Sequence, residues 1–101
     1  MQFLITAYDY TDEGALERRL SSREQHLNIS ESLLKKGKYL YAVAILDDKE
    51  KMIGSSIIAD FCSREELDEC FKNEPYILGK VWEKIDIKGC KVGAAFMKLH
   101  L

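Results

Sequence analysis

One histidine and three charged side chains carry most of the reactive chemistry in this 101-residue sequence. Arg19 and Arg23 precede His26 by seven and three residues, so a helix would place all three on neighbouring turns. Much farther along, Glu74 stands directly before Pro75. Proline disfavours helical geometry in the residue before it, so a helix should end here and project Glu74 outwards.

These residue types suit proton transfer if the two distant parts of the chain meet. A carboxylate beside an imidazole orients the ring, fixes its tautomer and stabilises its protonated form, so His26 and Glu74 are candidates for a catalytic pair if the loop geometry lets them meet. The planar fork of arginine binds carboxylates well, so Arg19 or Arg23 is a candidate anchor for an anionic group. The sequence leaves two plain alternatives open: a helix histidine without a role, and a Glu74-Pro75 pair that only stops a helix.

The candidate histidine lies in a stretch with clear helix signals. Ser21 and Glu24 have the spacing of a capping box, and Gly37 can adopt the left-handed conformation that ends a helix. We therefore predict a helix over 21–37 whose apolar stripe holds His26 at its edge. The stripe has seven-residue spacing: Leu20, Leu27 and Leu34.

The remaining segments predict an α+β fold. Alternating apolar residues predict strands over 2–8, 39–46, 52–61 and 81–88, a connection over 9–20 with at most a short helix, and a last strand over 92–98. Ser63 and Glu66 predict the start of a second helix, which should end near Asn73. The order β-α-β-β-α-β is ferredoxin-like, with two helices on one face of an antiparallel sheet and an extra C-terminal strand. We expect a single domain over residues 1–101.

The composition narrows the classes of protein. Hydrophobic residues make up 47% of the chain, which contains one proline and has a net charge of −2, so a folded core is expected. The charges are mixed along the chain, which argues against nucleic-acid binding. We identify neither a signal peptide nor a membrane span. The three cysteines form no C-x-x-C pair, so we expect reduced, buried thiols in a cytoplasmic protein, with no metal and no cofactor.

The second strand, 39–46, is apolar on both of its faces. A sheet covered by helices on one side should be polar on the other, so a further partner must cover this surface. A second copy of the chain is the simplest candidate, and we therefore predict a homodimer.

Several of these motifs together resemble the YCII-related (YciI-like) family. They are the run from Arg19 to Leu27, Gly37, the segment Ser63–Glu66 and the tripeptide Glu74-Pro75-Tyr76. The resemblance implies a dimeric ferredoxin-like α/β barrel-type fold with an active site centred on a histidine and an aspartate. The family histidine would fall on His26, its arginines on Arg19 and Arg23, and its Asp-Pro on Glu74-Pro75.

The chain departs from the family pattern at two places. Glutamate replaces the family aspartate, and Ala42-Val43-Ala44 stands where the family commonly has Ala-Gly-Pro. The loss of that glycine predicts a narrowed or altered pocket.

The resulting hypothesis is a small acid–base enzyme, of lyase or hydrolase type, acting on a small anionic or aromatic molecule. Ser55 and Tyr76 are further candidates for contact with this ligand. The alternatives are a non-catalytic dimeric module that binds a metabolite or a protein, and an RNA-binding domain of the same topology. The third strand lacks the basic, aromatic pattern that RNA-binding sheets carry, so the RNA hypothesis is ranked last.

Overall fold

Four strands form one fully antiparallel sheet in a computed structural model that describes all 101 residues. The strands are β1 (Gln2–Asp9), β2 (Tyr39–Leu46), β3 (Met52–Asp60) and β4 (Trp82–Cys90). Their order across the sheet is β2-β3-β1-β4, so the two central strands are β3 and β1. The predicted α+β, ferredoxin-like arrangement is confirmed.

Four helices and a final turn connect and follow the strands. They are α1 (Ala15–Lys35), α2 (Arg64–Phe71), α3 (Pro75–Leu78), α4 (Ala94–Met97) and a 3₁₀ turn at Lys98–His100. No helix has the length and apolar composition that crossing a membrane requires.

The core lies between the sheet and its helical layer. Phe3, Ile5 and Ala7 alternate along β1 with exposed or half-buried residues, as the two-residue period of a strand requires. They pair with Ala59, Ile57 and Ser55 of β3, so both central strands bury the same face. The core cluster is completed by Tyr39, Phe61, Leu67, Phe71, Tyr76, Val81 and Trp82.

The long helix begins six residues before the predicted start at Ser21. Asp12 fixes this earlier start, because its backbone oxygen accepts from the amide of Ala15 and its carboxylate accepts from that of Gly14. The same carboxylate forms a two-nitrogen ion pair with Arg18 in the next turn. The predicted capping box at Ser21 is therefore wrong, whereas Gly37 does end the helical segment with a left-handed φ of 73°.

The predicted apolar stripe of α1 is also wrong. Leu20, Leu27 and Leu34 are 54%, 48% and 52% exposed. The buried residues of the helix are instead Ala15, Arg19 and His26, and Leu33 packs against the core. The buried stripe thus keeps a seven-residue period but is displaced by one position, so two polar side chains face the core.

The second half of the chain differs from the prediction mainly at its end. Ser63 caps α2 as predicted by accepting from the amide of Glu66, 3.1 Å away. Residues 92–98 are not a strand, because after Gly93 the chain turns into α4 and the 3₁₀ turn. This segment lies beside Leu4 and Tyr41 on the sheet face that α1 leaves open. The prediction that Cys62 is buried is wrong, since it is exposed.

The pairing register of β1 with β3 can be tested at Gly54, where the two backbones approach closely. An alanine Cβ at Gly54 would lie 2.5 Å from the carbonyl oxygen of Ala7, whereas at Gly89 it would meet nothing within 4 Å. We expect Gly54→Ala to lower the free energy of unfolding by about 1–3 kcal/mol through overpacking against backbone. Gly89→Ala, the control, should cost no stability in urea unfolding. Equal losses in both variants would contradict the register.

Candidate functional site

The structure brings His26 and Glu74 together in the buried layer between α1 and α3. His26 Nδ1 lies 2.5 Å from Glu74 Oε1, and the two residues are 7% and 2% exposed. Since an ionised carboxylate only accepts hydrogen bonds, this contact assigns the proton to Nδ1 and leaves Nε2 as the free ring nitrogen. Nε2 has no hydrogen-bond partner and is not among the fully buried polar atoms, so it keeps contact with solvent.

Glu74 reaches this position because it is the N-cap of α3. Its backbone is extended, with φ −70° and ψ 120°, and Pro75 occupies the first helical position, where its missing N–H costs nothing. The oxygen that contacts His26 also accepts from the amide of Tyr76, at 3.1 Å. One carboxylate therefore both starts the short helix and orients the imidazole.

Two aromatic rings pack against the imidazole. The Tyr76 ring stacks on His26 with centroids 3.8 Å apart and planes 7° apart. The Trp82 ring lies nearly perpendicular to both, with its centroid 5.9 Å from that of His26 and 5.6 Å from that of Tyr76. These contacts leave the ring of His26 little freedom to rotate.

Arg19 also packs over the Tyr76 ring and is held by two strands. Its Cζ is 4.9 Å from the Tyr76 centroid. Nη1 donates to both carboxylate oxygens of Asp9, at 2.8 and 2.9 Å, and Nη2 donates to Gly54 O and Ser55 Oγ, both at 3.0 Å. Arg19 is 2% exposed, and only its Nε lacks a partner. The side chain thus connects α1 to β1 and β3.

Ser55 is likewise engaged within the protein. Its hydroxyl oxygen accepts from Arg19 Nη2 and from Trp82 Nε1, the latter at 3.2 Å. Arg19 and Ser55 are both predicted from the sequence to contact a ligand. In the structure their polar atoms instead form hydrogen bonds with each other and with Asp9, Gly54 and Trp82.

Arg23 is the arginine that remains available. It is exposed and forms no ion pair in the structure. Burial raises the pKa of the Tyr76 phenol, and the positive charges of Arg19 and Arg23 oppose that rise. The exposed guanidinium of Arg23 lies one helical turn before His26 and is free to bind a ligand.

Asp9 is a site residue that the sequence interpretation missed. Its signal was the two-residue period of β1, which puts Asp9 on the same buried face as Ile5 and Ala7. Burial raises the pKa of the Asp9 carboxyl, while the hydrogen bonds and charge of Arg19 oppose that rise. Asp9 also lines a cavity of about 520 Å³ between the start of α1 and the β2–β3 hairpin.

Two cavities flank the elements that carry the pair. The cavity at Asp9 extends to Ala15 and Leu16, and another of about 530 Å³ lies between Ser22 of α1 and Pro75 of α3. His26 and Glu74 line neither of them. Val43, at the place of the family glycine, lies on the opposite face of the sheet from His26, so this substitution does not narrow the space around the imidazole. No group of three or more metal-ligating side chains converges.

The Arg19–Asp9 pair predicts a pH-dependent loss of stability. Arg19→Gln would leave the Asp9 carboxylate buried without its cation, a loss of about 3–5 kcal/mol near neutral pH. Without Arg19 the folded-state pKa of Asp9 rises further above its unfolded value of about 3.9. An acid whose folded pKa is raised costs stability as the pH rises past the unfolded value, so the deficit should be larger near pH 7 than near pH 4.

Urea unfolding of the parent and two variants measures this difference. Arg19→Lys keeps the cation but not the fork, so it should retain most of the parent's pH profile at a lower stability. If Arg19→Gln lowers the free energy of unfolding by the same amount at both pH values, the pKa of the Asp9 carboxyl does not depend on Arg19.

Comparison with known proteins identifies the family of this chain. The family model described as the YCII-related domain matches residues 1–91. Protein YciI of Escherichia coli O6:H1 and Protein YciI of Shigella flexneri are each 32% identical to the chain over 97 residues, covering 90% of this chain and 97% of theirs.

Solved structures share the fold. The 5-chloro-2-hydroxyhydroquinone dehydrochlorinase TftG of Burkholderia phenoliruptrix AC1100, in complex with 2,5-dihydroxybenzoquinone, superposes with a TM-score of 0.78 at 26% identity, over 94% of this chain and 98% of that one. A dimeric ferredoxin-like protein from an uncultured marine organism has a TM-score of 0.54 at 20% identity, over 86% and 83% of the two chains. The coverage of the family model and the identity to the YciI proteins together show that the chain is a member of the YCII-related family.

Proposed function

We propose that this protein is a small acid–base enzyme of lyase type in which His26 transfers the proton. The observation that carries the proposal is the contact of Glu74 Oε1 with His26 Nδ1, which leaves Nε2 as the reactive nitrogen. Glu74 compensates the positive charge that the ring acquires when Nε2 takes a proton. Tyr76 and Trp82 keep the ring in one orientation, so Nε2 is aimed before a substrate arrives.

The reaction that fits this arrangement is a base-assisted elimination. Nε2 accepts a proton from a hydroxyl of the substrate, and the O–H bonding pair moves towards the ring to form a carbonyl. The imidazolium delivers this proton to the ring carbon that bears the leaving group, which gives a keto tautomer. Nε2 then accepts the proton of a second hydroxyl, whose O–H pair forms a second carbonyl while the leaving group departs with the electron pair of its bond to that carbon. The imidazolium then returns its proton to water or to the leaving group, which restores the neutral ring.

The proposed substrates are small hydroxylated aromatic molecules that carry negative charge. TftG is a 5-chloro-2-hydroxyhydroquinone dehydrochlorinase and was solved with 2,5-dihydroxybenzoquinone, and both molecules are hydroxylated rings. In this chain the Tyr76 ring is buried against His26 and Arg19, and Arg23 supplies the exposed cation that can hold an ionised oxygen. We assign the anchoring role to Arg23, because the Nη atoms of Arg19 already bind Asp9, Gly54 and Ser55.

A second candidate is a non-catalytic binding module, and one observation favours it. His26 and Glu74 are nearly buried, and they line neither cavity beside α1. A ligand could then bind near Arg23 and Tyr76 without its reacting atom reaching Nε2. In that case the His26–Glu74 pair would serve only to join α1 to α3.

Kinetics with a chlorinated hydroxyhydroquinone separates the two candidates. Release of chloride should fall by about 10²–10⁴ in His26→Gln, since a positioned acid–base group contributes that factor. Glu74→Asp, which installs the family residue, should retain turnover, whereas Glu74→Gln should lower kcat because the charge is lost. The variant Arg23→Gln should mainly raise KM, and Arg64→Gln, an exposed arginine on α2, is its matched control.

The contrary results are equally specific. Binding of 2,5-dihydroxybenzoquinone that is saturable, with no chloride release above that of His26→Gln, would leave the binding module. Absence of both binding and turnover would remove hydroxylated aromatic molecules as the substrate class.

We also propose that the chain forms a homodimer through the open face of its sheet, which would be a barrel-type assembly. Leu4, Tyr8, Tyr41 and Val43 are exposed on this face, and Val43 is 59% exposed. An apolar surface of this kind is typical of an interface between proteins. Because α4 already lies beside Leu4 and Tyr41, the contact would centre on the remainder of the face.

Sedimentation equilibrium at micromolar concentration tests the dimer. The parent should sediment at about twice the 11.6 kDa mass of the chain. A lysine at Val43 should shift the equilibrium towards monomer, because it would bury a charge in the interface. Leu20→Lys, on the exposed face of α1, is the control and should leave the mass unchanged. A parent that sediments only as a monomer would contradict the proposal.

A further inference from the structure

The last residues of the chain, 92–101, lie across one half of the open face of the sheet, and we call them the C-terminal segment. Two hydrogen bonds with Gln2 of β1 hold the segment there. The amide of Val92 donates to Gln2 Oε1 at 2.6 Å, and Gln2 Nε2 donates to Met97 Sδ at 3.5 Å. The YCII-related model ends at residue 91, so the family resemblance assigns no role to this segment.

The C-terminal segment carries large apolar side chains that the single chain does not cover. Phe96 is 61% exposed and Leu99 is 70% exposed. They lie on the same side of the sheet as the surface through which the homodimer is proposed. Exposed apolar side chains that gather on one face are typical of a contact between proteins. The segment therefore forms an apolar ridge along one half of this face.

The other half of the open face is uncovered. Tyr8 and Val43 are exposed there, and the register places Gly54 beside Tyr8 and Ser56 beside Val43. Glycine and serine are small, so this half, which adjoins the β2–β3 hairpin, is a shallow depression. In a two-fold interface, a residue i that contacts residue j of the partner is matched by a contact of j with i. A face with a ridge at one end and a depression at the other satisfies this condition when the two sheets run antiparallel.

The charges at the two ends of the face favour the same orientation. At the ridge end, Lys91 and Lys98 are exposed and form no ion pair, and the C-terminal segment has no acidic side chain. At the other end, the hairpin 47–51 carries three acidic residues and two lysines. Backbone amides bond to the Asp47 carboxylate and lower its pKa, so this negative charge persists below neutral pH. Antiparallel sheets place the lysines of each copy near the acidic hairpin of the other, whereas parallel sheets bring like charges together.

We propose that the C-terminal segment of each chain packs on the uncovered half of the partner's sheet, with Phe96 and Leu99 against Tyr8 and Val43 of the second copy. This inference rests on the homodimer proposed above, and it adds the orientation of the two chains and the residues that meet. Each segment is then enclosed between two sheets, which covers the apolar side chains that the single chain leaves exposed.

Sedimentation equilibrium of full-length variants tests the contribution of the ridge. Phe96→Ser and Leu99→Ser should each raise the dissociation constant of the dimer about ten- to hundredfold, since each removes a large apolar side chain from the interface. Leu78→Ser on α3 is the matched control, because Leu78 is 66% exposed and lies away from this face, and its constant should equal that of the parent. Far-ultraviolet circular dichroism should be unchanged in all three variants. A dimer as tight in Phe96→Ser and Leu99→Ser as in the parent would overturn the inference and leave the homodimer standing.

Isotope-filtered NOEs in a mixture of ¹³C-labelled and unlabelled full-length chain report which residues meet between the two copies. We expect contacts from Phe96 and Leu99 to Val43 and Tyr8. Contacts of Phe96 with Phe96 of the other copy would show two ridges side by side and would overturn the orientation. Contacts of Val43 and Tyr8 without any from the C-terminal segment would remove the segment from the interface.

Charge reversal gives an independent test of the orientation. Lys98→Glu should raise the dissociation constant about two- to fivefold, the effect of an exposed charge pair. Adding Asp48→Lys to the same chain should recover most of this loss, because opposite charges then face each other again. A further loss in the double variant would contradict antiparallel sheets. None of these results depends on turnover at His26, so the inference can fail while the proposed reaction stands, whereas a parent that is only monomeric overturns the inference together with the homodimer.

Discussion

The buried guanidinium of Arg19 is the constraint on which the arrangement of this protein depends. A charge in the core must be paired and hydrogen-bonded, and Arg19 obtains those partners from Asp9 on β1 and from Gly54 and Ser55 on β3. These bonds fix the rotation of α1 against the two central strands. They also bring the cation over the ring of Tyr76, on which His26 stacks. The position of the imidazole therefore depends on the ion pair between Arg19 and Asp9, which acts on it through the ring of Tyr76.

Glu74 joins this framework to the second half of the chain. The carboxylate satisfies the first turn of α3 and the imidazole with the same oxygen, so the backbone at Pro75 and the side chain of His26 are held by one group. The family aspartate is one methylene shorter. The longer glutamate still reaches His26 here because Pro75 sets the turn that directs it inwards. The sequence alone leaves orienting His26 and ending a helix as alternative roles for Glu74. In the structure one carboxylate both orients His26 and caps α3.

Much of the fold was readable from local patterns, because strand alternation and capping residues act over a few positions. The strands over 39–46 and near 2–8 and 52–61 follow directly from alternation. The buried face of α1 could not be predicted from the sequence. Apolar periodicity favours burial of the leucines, whereas the structure buries Arg19 and His26 instead. Their burial depends on Asp9 and Glu74, which are distant in sequence. The pairing of His26 with Glu74 came from the family resemblance, whereas Asp9 required the sheet register.

We infer that Glu74 fixes the proton of His26 on Nδ1 and leaves Nε2 free to react. Long-range ¹H–¹⁵N NMR of the imidazole, recorded at a pH where the ring is neutral, reports directly which nitrogen carries the proton. We expect the Nδ1–H tautomer in the parent and in Glu74→Asp, and a mixture of both tautomers in Glu74→Leu. A parent ring that carries its proton on Nε2, or a tautomer unchanged in Glu74→Leu, would contradict it.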